Sequence, residues 1–179
     1  MAKTRASNRS NHTHQFSQVP QAKIPRSSFN RSHGHKLTAY SGLLTPIFVD
    51  EVLPGDTHIL RTSIFARLAT PIKPFFDNVF METFFFFVPY RLVWDNWQKF
   101  NGEQTNPGDS TDYSIPTLTE TAGGLSGQGV TDHMGIPPGV NNITYSVLPL
   151  RSYNLIFNEW FRDQNLQDSV PVVTGDSGR

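Results

Sequence analysis

Hydrophobic and polar positions along this chain change period three times, and each change predicts an element. From Thr57 to Leu68 the residues alternate: Leu60, Thr62, Ile64, Ala66 and Leu68 fall on one parity, and Arg61, Ser63 and Arg67 interrupt the other. That is a strand with one buried face. Asn78 to Val88 begins with polar residues interspersed and ends apolar on both parities, at Phe84, Phe85, Phe86 and Phe87, as a strand covered on two sides would. Pro71 and Pro74 lie between the two and forbid a continuous ladder. The pattern then turns helical. After Pro89, Val93, Trp97 and Phe100 stand at i, i+4 and i+7, close to Trp94, with Asn101-Gly102 as a stop. From Leu148 to Asn165, Tyr153, Ile156, Phe157, Trp160 and Phe161 form a full apolar stripe, which leaves Arg151, Asn154, Glu159 and Arg162 on the solvent side.

The remaining stretches lack either period. Residues 101 to 141 hold 8 Gly and 4 Pro and read as a long irregular loop, of the kind that serves a function or covers a partner. Residues 1 to 36 contain few large apolar side chains, too few to offset the entropy of ordering them, and read as a flexible arm.

Charge sharpens that division. The chain has 179 residues and balances 15 basic against 15 acidic groups, but residues 1 to 49 carry Lys3, Arg5, Arg9, Lys23, Arg26, Arg31 and Lys36 and no acid. A segment of +7 therefore precedes a body of −7, which holds the other 8 bases and all 15 acids. Spaced cations on an acid-free arm, with Phe16 and Phe29 among them, suit sequence-independent contact with nucleic-acid phosphates. An organellar transit peptide would need an amphipathic stripe that this arm lacks. The run Phe84 to Val88 is far shorter than the roughly 20 residues that span a bilayer.

Composition mostly excludes. With no cysteine there is no disulfide, thiolate metal site or cysteine nucleophile. Gly175-Asp176-Ser177-Gly178 matches the nucleophile loop of trypsin-like proteases, yet nothing around it supplies an oxyanion loop or specificity pocket, so a turn is the better reading. His12 and His14, like His33 and His35, sit among like charges without a third metal ligand. His58 and His133 have no carboxylate at a telling spacing, and Gly123 to Gly129 lacks the Lys-Ser/Thr ending of a phosphate loop. No cofactor, metal or catalytic residue is expected. The 14 Phe side chains are more apolar surface than two strands and two helices cover, so Phe65, Phe84 to Phe87, Trp94, Trp97, Phe100, Tyr153, Ile156, Phe157, Trp160 and Phe161 are assigned to core or subunit packing.

Three motifs carry a family resemblance. They are the Pro-Gly-Asp turn at Pro54 to Asp56, Val-Pro-Tyr-Arg-Leu-Val-Trp at Val88 to Trp94, and Tyr-Asn-x-Ile-Phe-Asn-x-Trp-Phe-Arg at Tyr153 to Arg162. With the segments around them, from about Arg26 onward, they resemble the N-terminal third of the major capsid protein of Microviridae, particularly gokushoviruses. The resemblance implies a mainly β viral jelly roll with helical and loop insertions, incomplete in this chain. Residues 1–36 would be an inward-facing arm and 37–179 the first part of the barrel domain, with an insertion at 89–166. It further implies a non-enzymatic subunit of a small T = 1 shell around circular single-stranded DNA, assembled in the cytoplasm of a bacterial host and ending in the virion. Its partners would be other copies of itself, the DNA genome and a small internal DNA-binding viral protein, with no membrane. The competing reading is a cellular nucleic-acid-binding module with a basic tail. Taken alone, the chain reads as the first part of something longer, either a fragment or the product of a truncated gene.

Overall fold

The computed structural model describes residues 24–120 and 123–178. The chain divides into two units, Met1–Gly34 and His35–Arg179. Within the first, residues 24–34 form neither helix nor strand, and Asn30 ties its own turn by accepting the Ser32 backbone N–H and hydroxyl through Oδ1 at 3.0 and 2.6 Å. The second unit is poor in helix and holds one small antiparallel sheet among its described residues.

Its elements are short because each is closed by a specific end. Tyr90–Leu92 is a single 3-10 turn, and a break at Val93–Asn96 separates it from α1 (Trp97–Phe100). The sequence predicts one helix here; the structure has two pieces. α1 ends where Gly102 takes φ +95°, with the Gly102 N–H on the Lys99 carbonyl and the Glu103 N–H on that of Gln98 at 2.9 and 3.0 Å. This is a Schellman closure, which needs the left-handed residue that glycine supplies. α2 (Val130–His133) closes the same way at Gly135.

The glycine-rich stretch is more ordered than its composition suggests. β1 (Thr117–Thr119) pairs with β2 (Thr144–Ser146), Leu118 opposite Tyr145, and the Thr119 and Thr144 hydroxyls lie 2.8 Å apart across the ladder. Backbone bonds from Glu120 to Ile143 and from Val147 to Pro116 extend the pairing at both ends. Two runs of β-branched and aromatic residues were the available signal, and they escape a reading that weighs Gly and Pro content over the whole span.

α3 (Leu148–Ile156) carries Pro149 in its first turn, where the missing N–H is harmless. It runs into a π-helical turn, Phe157–Phe161, in which the Arg162 N–H reaches the Phe157 carbonyl five residues back at 2.8 Å. The 3.6-residue stripe therefore loses its phase beyond Ile156. Trp160, assigned to that stripe, is 72% exposed.

Two expectations are corrected more sharply. Thr57–Leu68 and Asn78–Val88 belong to no strand, because no segment among the described residues pairs with either, and both parities of each stay largely open to solvent. Arg151, placed on the solvent face of its helix, is instead buried. The core is built around it: Val93, Trp94 and Leu148 are fully enclosed, Val147 nearly so, and Val88, Tyr90, Trp97, Tyr113 and Leu155 pack against them.

Candidate functional site

The best-defined chemistry in the chain is a polar strap over that core. Backbone pairing begins it, with the Asp95 N–H on the Thr174 carbonyl at 2.9 Å and the Thr174 hydroxyl on Asp95 Oδ2 at 2.8 Å. Next along the strap, Asp176 receives the Trp94 indole N–H at 2.7 Å and the Asn96 amide at 3.0 and 2.9 Å. These bonds, Asn96 first and Trp94 next, hold the Asp176 carboxyl below its usual range, with Arg151 and Lys99 adding to the effect. The buried Arg151 then divides its guanidinium between the Val93 carbonyl, at 3.0 Å, and the Ser177 carbonyl. Burial lowers the pKa of Arg151, and Asp176 and Asp95 oppose that shift.

Asparagines on α3 and the π turn fasten the return of the chain before the strap. Asn158 bonds Val170 reciprocally at 2.7 and 2.9 Å, and Asn154 reaches the Pro171 carbonyl at 3.4 Å. At the far end Gly178 lies so close to the Thr117 carbonyl that no Cβ fits. The Gly175–Gly178 tetrapeptide is thus a tie between the 93–96 segment, α3 and β1: its Asp and its backbone are what the neighbours use.

Two tyrosines tether the upstream chain. Tyr90 donates to Glu51 Oε1 at 2.7 Å, and Tyr153 to the Leu44 carbonyl at 2.8 Å. Burial, followed by the bond to and the charge of Glu51, drives the Tyr90 phenol far above its ordinary value; burial alone raises Tyr153. Asp56 closes the Pro-Gly-Asp turn, its N–H on the Leu53 carbonyl and its Oδ2 accepting the Leu53 N–H, both at 3.1 Å. Gly55 takes φ +86° at the third position, as a type II turn requires. Asp56 also stands 3.9 Å from His58, a carboxylate partner that spacing alone did not single out.

The aromatic residues fall into two groups. Trp94 is enclosed, with Trp97 at 6.2 Å and Phe100 at 5.4 Å between ring centres, and Tyr90 meets Trp97 edge-on at 5.1 Å. Elsewhere Phe84 and Phe86 both meet Phe161 edge-on, at 5.5 and 5.9 Å, and Phe86 lies 5.5 Å from Trp160. The two-residue spacing sends Phe84 and Phe86 to one face. Phe85, Phe87, Phe80 and Phe75 are exposed, and Phe65 and Phe76 are 92% and 97% accessible. Tyr153, Ile156 and Phe157 are half-buried.

The cations are less concentrated. Arg26, Arg31 and Lys36 are exposed, whereas Lys3, Arg5, Arg9 and Lys23 lie outside the described residues, as do His12 and His14. His33 contacts the Arg31 carbonyl at 2.9 Å, and no group of three His, Cys, Asp or Glu among the described residues is placed to hold a metal. Nor is any described helix long and apolar enough to cross a membrane.

Comparison with known proteins gives this surface a context. Residues 17–179 match the phage family described as capsid protein (F protein). Capsid protein VP1 of Bdellovibrio phage phiMH2K is 55% identical over 163 residues, which are 91% of this chain and 31% of that protein. The VP1 of Chlamydia phage 1 is 49% identical over 90% of the chain and 28% of its own length, and that of Spiroplasma virus 4 is 33% identical over 92% and 30%. The chain spans under a third of each of these relatives. A tied core beside a long uncovered aromatic stretch, and a sequence match over all but the first 16 residues, lead to one conclusion: the chain belongs to the phage capsid protein (F protein) family.

Proposed function

We propose that the chain is a structural, non-enzymatic part of a capsid subunit that packs with further copies into a small T = 1 icosahedral shell around circular single-stranded DNA. The observation that carries this reading is the uncovered aromatic stretch from Phe65 to Phe87 in a chain of the capsid family. So many exposed apolar side chains in one stretch mark an interaction face, and a segment without a ladder is a template for another strand. In the assembled particle, Thr57–Leu68 and Asn78–Val88 become strands of a jelly roll and 89–166 its insertion. Residues 1–36 are the inward arm of a 37–179 capsid segment, in virions assembled in the bacterial cytoplasm.

Lys3, Arg5, Arg9, Lys23, Arg26, Arg31 and Lys36 supply the DNA contacts in this reading, and a small internal DNA-binding viral protein is a further partner. The experiment expresses the chain within the full-length capsid protein and images the product. Closed icosahedral particles are expected, and a soluble low-order species that binds DNA without closing a shell would favour the nucleic-acid-binding module instead. Arg5, Arg9, Arg26 and Arg31 changed to Gln should flatten the salt dependence of single-strand binding by about 0.7 in log–log slope for each phosphate no longer neutralised. An unchanged slope would remove the arm from the DNA.

A further inference from the structure

Residues 35–38 and 128–133, far apart in sequence, meet around an open cavity of about 360 Å3. Its polar lining is His35, Lys36, Thr38, Gln128, Asp132 and His133. Beside the apolar Leu37, every one of these groups except the Asp132 carboxylate can donate a hydrogen bond: an ammonium, two imidazoles, an amide and a hydroxyl. That carboxylate is already engaged, since Asp132 Oδ2 accepts the Gln128 backbone N–H at 2.8 Å. Gln128 delivers the N–H from a left-handed backbone, φ +64°, which a residue with a side chain adopts only where its surroundings enforce it. Lys36 opposes a cation here, and no described trio of His, Cys, Asp or Glu is placed to hold a metal.

We propose that this cavity binds a phosphate-type oxyanion, the phosphodiester of a nucleic acid, with Lys36, His35 and His133 as its donors. The proposal rests on the reading of the chain as a DNA-enclosing subunit and gives it a defined contact at the end of the arm. Asp132 is the acid among these groups, and its carboxylate is occupied by the Gln128 N–H, which leaves Lys36, His35 and His133 to meet the anion.

The test titrates the full 179-residue chain with inorganic phosphate and, separately, with short oligothymidylate, at one pH and one salt concentration. Saturable phosphate binding is expected, and Lys36→Met and the double change His35→Gln, His133→Gln should each weaken it by about fivefold or more, the loss of a donor to a charged group. No saturable binding, or indifference to both changes, overturns the site. Oligothymidylate that displaces phosphate supports the phosphodiester; oligothymidylate that binds without displacing it overturns that source. Should a variant fail to fold, the unaltered chain still decides: phosphate should slow modification of His35 and His133 by diethyl pyrocarbonate severalfold while leaving His58 unaffected, and unchanged rates would sink the proposal. Arg5→Gln with Arg9→Gln flattens the oligonucleotide salt slope without touching phosphate binding, so a failure of the arm is read apart from a failure of the cavity.

Discussion

The segment from Val88 to Gly178 and the segment from Thr57 to Phe87 are both rich in aromatic residues, yet one is closed and the other open. In the first, Trp94 is enclosed and its indole N–H is paired with Asp176; in the second, Phe65 and Phe76 are almost fully accessible. Hydrophobicity is not the difference. The closed segment has polar groups from distant parts of the chain that fix its partners, Arg151, Asp176, Asn158 and Asn154 among them, and the open one has apolar side chains whose backbone joins no ladder. Apolar burial is non-directional, so a segment without such ties takes its geometry from whatever covers it.

The contrast is broken most severely at Trp94. Trp94→Ala should destabilise the chain by about 3 to 5 kcal/mol, the range for a large buried aromatic, read from urea unfolding. Arg151→Met comes next: it keeps the volume but strands the Val93 and Ser177 carbonyls, and it should cost about 2 to 4 kcal/mol. A stable Arg151→Met variant would mean that the strap does not need its cation. Asp176 supplies a smaller, pH-dependent part. Its folded carboxyl sits below the ordinary value, so its contribution is full above about pH 4 and disappears as pH falls through the folded value. Asp176→Asn should remove that acid limb from a plot of urea midpoint against pH.

The smallest effects are expected at exposed rings, Phe65 in the open segment and Trp160 on the surface of the closed one. Phe65→Ser and Trp160→Ala should each change the stability of the chain by no more than about 0.5 kcal/mol, as exposed sites do, while lowering the yield of closed particles from the full-length protein. A loss of several kcal/mol from Phe65→Ser would show that the open segment is held as firmly as the closed one.

Legibility in the sequence follows the same line. Glycine stops were readable because Asn101-Gly102 needs only local stereochemistry, and the Leu148 helix was readable from its periodicity. Arg151 was misplaced because helical phase says which residues share a face, and not that a strap from residues 174–178 returns over the polar one. The hairpin of β1 and β2 is hidden because a 24-residue excursion separates its strands, and the strands expected at 57–68 and 78–88 do not form in this chain because alternation predicts an accessible face without supplying a neighbour. Of the candidate surface, the aromatic abundance was legible. Its division into an enclosed cluster around Trp94 and an open face was not, since that depends on Asp176 and Arg151 meeting it from far along the chain.

The π turn at Phe157–Phe161 is, in effect, one residue inserted into a helix. An ordinary helical residue advances about 100° around the axis, a figure that follows from 3.6 residues per turn, and a π turn advances less, so it takes up one extra residue within itself. Deleting Asn158 would restore the ordinary winding while Trp160 and Phe161 keep nearly the bearing that meets Phe86 and Phe84. What would go is the pair of bonds from Asn158 to Val170, so a length change at this point would act on the tie to the returning chain and leave the aromatic face where it is.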